Sequence, residues 1–184
     1  MGGGRCRRAA ACRVGNRGDR RLMTEALHVI AEEAPDRADV IALIEASDAY
    51  SLERYPPEGH FGTDIAGLKS PDVTFLVARR GGAAEGCGAV KWFADGTAEL
   101  KRIFVSDAAR GLGLGRRIMA RLETLAAERG VTTLYLETGP LNTEAVTMYR
   151  RLGYAECGPF ADYAANPYSL FMTRKLTDEP SNEG

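Results

Sequence analysis

The chain has 184 residues, with 24 Lys and Arg against 25 Asp and Glu, and a formal net charge of −1. That length suits one domain with a real core, and the charge balance gives no bulk attraction to nucleic acid or to an anionic membrane. No apolar run approaches the ~20 residues that cross a bilayer. Cys6, Cys12, Cys87 and Cys157 form no Cys-x-x-Cys pair, which argues against a zinc site or a secreted disulfide framework and for reduced thiols in a cytoplasmic protein.

Residues 1–22 carry seven arginines and one acid. Arg7-Arg8 hints at a targeting signal, but only Ala9 to Ala11 follow, not an apolar core. A basic arm for nucleic acid is a second reading. The composition is read instead as a disordered basic tail, with Met23 as the functional start, a domain over 23–176 and a polar, acidic, disordered tail over 177–184.

Leu27–Ala31 reads as a first strand. Pro35-Asp36 opens a helix whose apolar spacing runs through Ala38, Ile41, Ala42, Ile44, Glu45 and Ala49, ending before Pro56-Pro57. Asp64–Lys69 reads as a short helix. Val73–Arg79, Gly86–Phe93 and Ala98–Val105 read as three antiparallel strands, joined at Gly81-Gly82 and Asp95-Gly96, both hairpin signals. Leu114, Ile118, Leu122 and Leu125 recur at helical spacing, and Gly130 ends that helix. Val131–Thr138 is a strand that the crossover connection pairs in parallel with the strand before the helix. Asn142 is an N-cap for a helix carrying Ala145, Tyr149 and Leu152 on one face. Tyr154–Cys157 and Tyr168–Arg174 complete the sheet.

The organising stretch is Glu99 to Arg116: a strand, a loop with glycine at every second position, and a helix. Free N–H groups and the positive dipole end at such a helix start suit phosphate. The dinucleotide fingerprint is excluded because Arg116 stands where its third glycine belongs, and the Walker loop is excluded because no Gly-Lys-Ser/Thr follows. What stands is Arg110-x-x-Gly113-x-Gly115. This loop resembles the pyrophosphate loop of the GNAT superfamily of acetyl-CoA-dependent N-acyltransferases. Downstream, Asn142-Thr-Glu-Ala-Val-Thr-Met-Tyr149-Arg-Arg-Leu-Gly153-Tyr154 resembles the superfamily's Asn-x-x-Ala-x-x-x-Tyr-x-x-x-Gly-Phe/Tyr segment, in the right order and at the right distance. The resemblance covers Pro71 to Leu176. The segment from Gly158 to Met172 looks like the tail of a bacterial subgroup.

The resemblance implies an α/β (α+β) fold, with a mixed central sheet of six to seven strands flanked by about four helices. It implies a transferase, an acetyltransferase that moves the acetyl group of acetyl-CoA directly to a primary amine of a small molecule or amino acid. Acetylation of a protein N-terminus or lysine, and non-catalytic sensing of acetyl-CoA, stay as alternatives. The cofactor residues would be Ile103, Phe104 and Val105 on the strand, Arg110, Gly111, Leu112, Gly113, Leu114, Gly115 and Arg116 in the loop, and Asn142 against the pantetheine arm. One N–H among Ile103 to Val105, with Val105 favoured, would polarise the carbonyl. Tyr149 would be the general acid, its reference pKa of ~10 lying above the ~8.5 of a thiol. The general base would be Glu99, in phase with Lys101, Ile103 and Val105, or Glu137 on the next strand. The region after the first helix would line the acceptor pocket, which makes Tyr50, Glu53, Tyr55 and His60 candidate contacts. No metal is implied, and the resemblance allows a homodimer.

Overall fold

The computed structural model describes Met1, residues 28–59 and residues 61–176. The expected tails, the start of the first strand at Leu27, and His60 lie outside the described residues. Seven strands form one sheet: β1 (Val29–Glu32), β2 (Val73–Arg80), β3 (Ala83–Trp92), β4 (Thr97–Val105), β5 (Thr133–Thr138), β6 (Ala155–Cys157) and β7 (Leu170–Lys175). Their spatial order is β1-β2-β3-β4-β5-β7-β6. Only the β4–β5 ladder is parallel among the described pairs, as the crossover helix requires.

Four helices flank the sheet: α1 (Ala38–Leu52), α2 (Ile65–Leu68), α3 (Leu114–Glu128) and α4 (Thr143–Arg151). On one face, Ile118, Met119 and Leu122 of α3 pack with Leu76, Val90 and Leu100 of the sheet and with Tyr149 of α4. On the other, Val40, Leu43 and Ile44 of α1 and Leu68 of α2 pack with Phe75, Val77, Cys87 and Ala89. The face of α1 differs from the expected one. Ala38, Ala42, Glu45 and Ala49 are exposed, while Val40 and Leu43 are buried. Small alanines on the outer side extended the apparent apolar stripe without belonging to it.

Two features of β4 open the sheet. The β4–β5 ladder stops at Leu100↔Leu136, so the last five residues of β4 diverge from β5. Opposite, the β3–β4 register jumps from Cys87↔Phe104 to Ala89↔Lys101, so Gly88 faces both Arg102 and Ile103. This is a β-bulge, and Arg102 takes φ +54° within it. A Cβ at Gly88 would crowd Ile118, Ile103 and Leu122, so the bulge and α3 need glycine there. The bulge also overturns the expected phase. Glu99 and Lys101 share the α1 face with Phe104, whereas Ile103 packs into the α3-side core.

Candidate active site

The splayed strands hold a cleft of about 320 Å³. Its floor is Ile103, Phe104 and Val105; its walls are the loop from Ala109 to Arg116 and the α4 residues Ala145, Met148 and Tyr149. In the loop, Gly111 and Gly113 have φ +76° and +73°, where a side chain would be strained, although a Cβ at either would meet nothing. Gly113 caps α3 with no side-chain hydrogen bond, so the N–H groups of the first helical turn lack a side-chain cap, an arrangement whose dipole and donors favour an anion. Gly115 brings the helix close to α4: a Cβ there would lie 3.3 Å from the Met148 sulfur.

Each expected cofactor residue has a definite position. Leu112 does not line the cleft, and its side chain is 56% exposed. Arg110 lines it but holds Asp107 at 2.8 Å and lies over the Tyr50 ring at 4.7 Å. Arg116 lines it and also a neighbouring cavity of about 580 Å³ with Thr143, Thr147 and Arg151. Asn142 accepts the Ala145 N–H at 3.4 Å through Oδ1, which leaves its Nδ2 for a ligand. Ser106 N–H donates to Glu85 of β3 at 2.8 Å. Because N–H groups alternate sides along a strand, the N–H of Val105 turns away from β3, toward the opening.

A second cavity of about 170 Å³ adjoins the cleft. The two share Tyr50, Ile103, Phe104, Asn142 and Tyr149. Tyr149 is only 5% exposed, and burial, then the nearby Glu137 carboxylate, raises its pKa, so its hydroxyl keeps its proton at neutral pH. Tyr50 stands between the cavities, edge-on to Phe104 and flanked by Arg54 at 3.6 Å and Arg110 at 4.7 Å. Tyr55 lines the second cavity, but its hydroxyl accepts the Leu141 N–H at 2.6 Å and its ring fills the space where a Cβ on Gly139 would sit. It therefore fastens the loop that carries Asn142. Glu53 is exposed beside Arg54 and lines neither cavity, unlike the expectation.

The two carboxylate candidates share a small cavity of about 50 Å³ but differ at the two cavities joined at Tyr149. Glu99 is 3% exposed and lines neither cavity. Its Oε1 accepts from Lys101 at 2.7 Å and from the Tyr163 hydroxyl at 2.6 Å, so its charge is already matched. Glu137 is half-buried and is the one acidic side chain lining the second cavity among the described residues. Burial raises its pKa; a hydrogen bond with Ser169 and the Lys101 ammonium pull the other way. The Cys87 thiol is wholly buried, donates to the Arg102 carbonyl at 3.3 Å, and is pushed up to about 12 by desolvation, so it offers no nucleophile. Among the described residues no group of three or more His, Cys, Asp or Glu could hold a metal, and no helix is long and apolar enough to cross a membrane.

Sequence reasoning missed Arg54, Met148 and Tyr163. Tyr163 meets Glu99 across 64 residues of chain and sits in an aromatic cluster with Phe61, Phe160 and Phe171. No local pattern announces such a contact.

The family model described as "Acetyltransferase (GNAT) family" matches residues 38–154. An IAA acetyltransferase from Azospirillum brasilense is 43% identical over 148 residues, which is 80% of this chain and 97% of that protein. A solved structure described as an acyl-CoA N-acyltransferase from Klebsiella pneumoniae is 36% identical, with a TM-score of 0.69, over 83% of this chain and 99% of that one. An aminoglycoside 6′-N-acetyltransferase solved with coenzyme A shares the fold at 17% identity and a TM-score of 0.63, over 83% and 99% of the two chains.

Proposed function

Since the chain belongs to the acetyltransferase (GNAT) family and is an N-acetyltransferase, we propose that it acetylates a small primary amine held between Glu137 and Tyr149. The carrying observation is that two cavities share Tyr149 in their lining, one at the uncapped start of α3 and one with a single carboxylate among the described residues.

The cleft residues fit acetyl-CoA as donor. The uncapped start of α3 and Arg116 suit the pyrophosphate, the Arg116–Arg151 cavity suits the phosphorylated adenosine end, and Asn142 Nδ2 suits an amide of the pantetheine arm. Bound there, acetyl-CoA supplies a thioester whose acetyl group moves to nitrogen. Glu137 accepts the proton of the acceptor ammonium, because only the neutral amine attacks. The N–H of Val105 donates to the carbonyl oxygen as charge develops on it. Tyr149 gives its hydroxyl proton to the departing sulfur. The C–N bond forms as the C–S bond breaks, the nitrogen then gives its second proton to the Tyr149 phenolate and so restores that residue, Glu137 passes its proton to solvent, and no covalent enzyme adduct is needed, because the amine and the thioester meet directly.

Calorimetry with Gly113→Asp tests the loop. Nothing crowds a Cβ at this position, and aspartate is among the side chains that carry the strain of φ +73° at least cost, so circular dichroism and thermal melting establish the fold of the variant before titration. The new carboxylate occupies the anion site, and acetyl-CoA affinity falls at least tenfold. Unchanged affinity in a folded variant would refute the assignment.

A further inference from the structure

The acceptor cavity has a charge pattern that the acetyl-transfer chemistry does not require. Three cations line it, Arg54, Lys101 and Arg102, against one carboxylate, Glu137. Two of the cations are matched from behind. Lys101 holds Glu99 at 2.7 Å with both side chains nearly buried. Arg102 holds Asp48 and donates to the Thr63 carbonyl at 2.8 Å.

Arg54 is different. Its Nη1 donates to the Tyr50 carbonyl at 2.8 Å, and its guanidinium lies 3.6 Å from the centre of the Tyr50 ring, which fixes its direction. Its acidic neighbour Glu53, at 3.3 Å, is 73% exposed, and a pair held that far into water is screened and weak. The hydrogen bonds of Arg54 among the described residues all run from Nη1, so Nε and Nη2 keep their donors. The cavity therefore offers one group for an ammonium and one for an anion. Its volume of about 170 Å³ is below the ~300–1,000 Å³ of sites that hold drug-sized ligands. A small amine therefore fits it best, and the remaining donors of Arg54 disfavour a second ammonium there.

We propose that the acceptor is a small amine that also carries a carboxylate, an α-amino acid or a molecule of that size and charge, with its amine toward Glu137 and its carboxylate on Arg54. This rests on the reading of the 170 Å³ cavity as the acceptor site. A planar guanidinium suits a carboxylate through paired donors, and its anchorage on Tyr50 reduces the freedom lost on binding.

The test compares each amino acid with its amide and its decarboxylated amine as acceptors, following thiol release from acetyl-CoA. Wild-type protein is expected to favour the amino acid by about 10- to 10²-fold in kcat/KM, the worth of one charge-assisted pair. In Arg54→Gln this ratio falls toward one, chiefly through a higher KM for the amino acid, and Arg54→Lys keeps part of it. Acetyl-CoA affinity by calorimetry reports that the variants are folded. Equal or better rates with the amide or decarboxylated amine, or an unchanged ratio in folded Arg54→Gln, would overturn the proposal while leaving acetyl transfer standing. Acetyl-CoA binding without thiol release for any amine would overturn both.

Discussion

Glu137→Gln separates the two carboxylates on chemical grounds. Glutamine keeps the shape of the half-buried side chain and a hydrogen-bonding oxygen for Ser169, and removes only the capacity to take a proton. An acceptor amine with a pKa near ~10.4 is neutral in only ~4 × 10⁻⁴ of molecules at pH 7, so without a base the enzyme must wait for that fraction. The expected loss in kcat/KM at pH 7 is about 10³-fold, within the ~10²–10⁴ of general acid–base catalysis and worth about 4 kcal/mol at 1.36 kcal/mol per decade. The deficit should shrink roughly tenfold for each pH unit gained, because solvent does the deprotonating as pH nears the pKa of the amine. In the wild type the acid limb of the activity lies higher than for an ordinary exposed glutamate. Burial raises the Glu137 pKa, so activity is lost on acidification through a range above the usual carboxylate values. The same shift means that Glu137 favours the fold when protonated and loses that contribution as pH rises, so the glutamine variant melts no lower than wild type at neutral pH. Thiol release from acetyl-CoA between pH 5 and 10 reads the rates, and thermal melting reads the stability. A folded Glu137→Gln with wild-type kcat/KM and an unchanged pH profile would refute the assignment, and a large, pH-dependent loss in Glu99→Gln instead would return the base role to β4.

Tyr149→Phe is expected to cut kcat by ~10²–10⁴ while acetyl-CoA affinity by calorimetry stays within a few-fold; full activity under chemistry-limited conditions would remove Tyr149 from the mechanism. Tyr55→Phe leaves the Leu141 N–H without its partner, a loss of ~1–3 kcal/mol and a melting temperature lower by about 2–12 °C in a domain of this size. An unchanged melting temperature would show that the hydroxyl does not fasten the Asn142 loop.

What the sequence disclosed was whatever depends on a few neighbouring residues. Gly81-Gly82 and Asp95-Gly96 announced the two hairpins, and all three of their glycines adopt the positive φ such turns need. Gly113 and Asn142 marked the starts of α3 and α4 within a residue. The strand–helix–strand order gave the parallel β4–β5 pair. Features set by distant contacts stayed hidden. The bulge at Arg102 has a non-glycine residue at positive φ, held by Asp48, Thr63 and the space over Gly88, and a period-two reading runs straight through it. That slip put Ile103 and Val105 on the face of Glu99, from which the bulge separates them. The Glu99–Lys101 contact fits the spacing along one strand, but the second partner, Tyr163, comes from far along the chain, where no spacing reveals it. Arg54 lies in a loop of mixed charge and aromatics, and only the fold stacks it on Tyr50. The insertion of β7 between β5 and β6 is likewise a choice among strand pairings that are locally alike.

The central claim is that the two cavities joined at Tyr149 are a donor site and an acceptor site for acetyl transfer. The most direct test is thiol release from acetyl-CoA by the full chain across a panel of amino acids, polyamines, aminoglycosides and short peptides. The account predicts release that depends on the amine and is fastest with small, carboxylate-bearing amines. Tight acetyl-CoA binding with no amine-dependent release across the panel would contradict it.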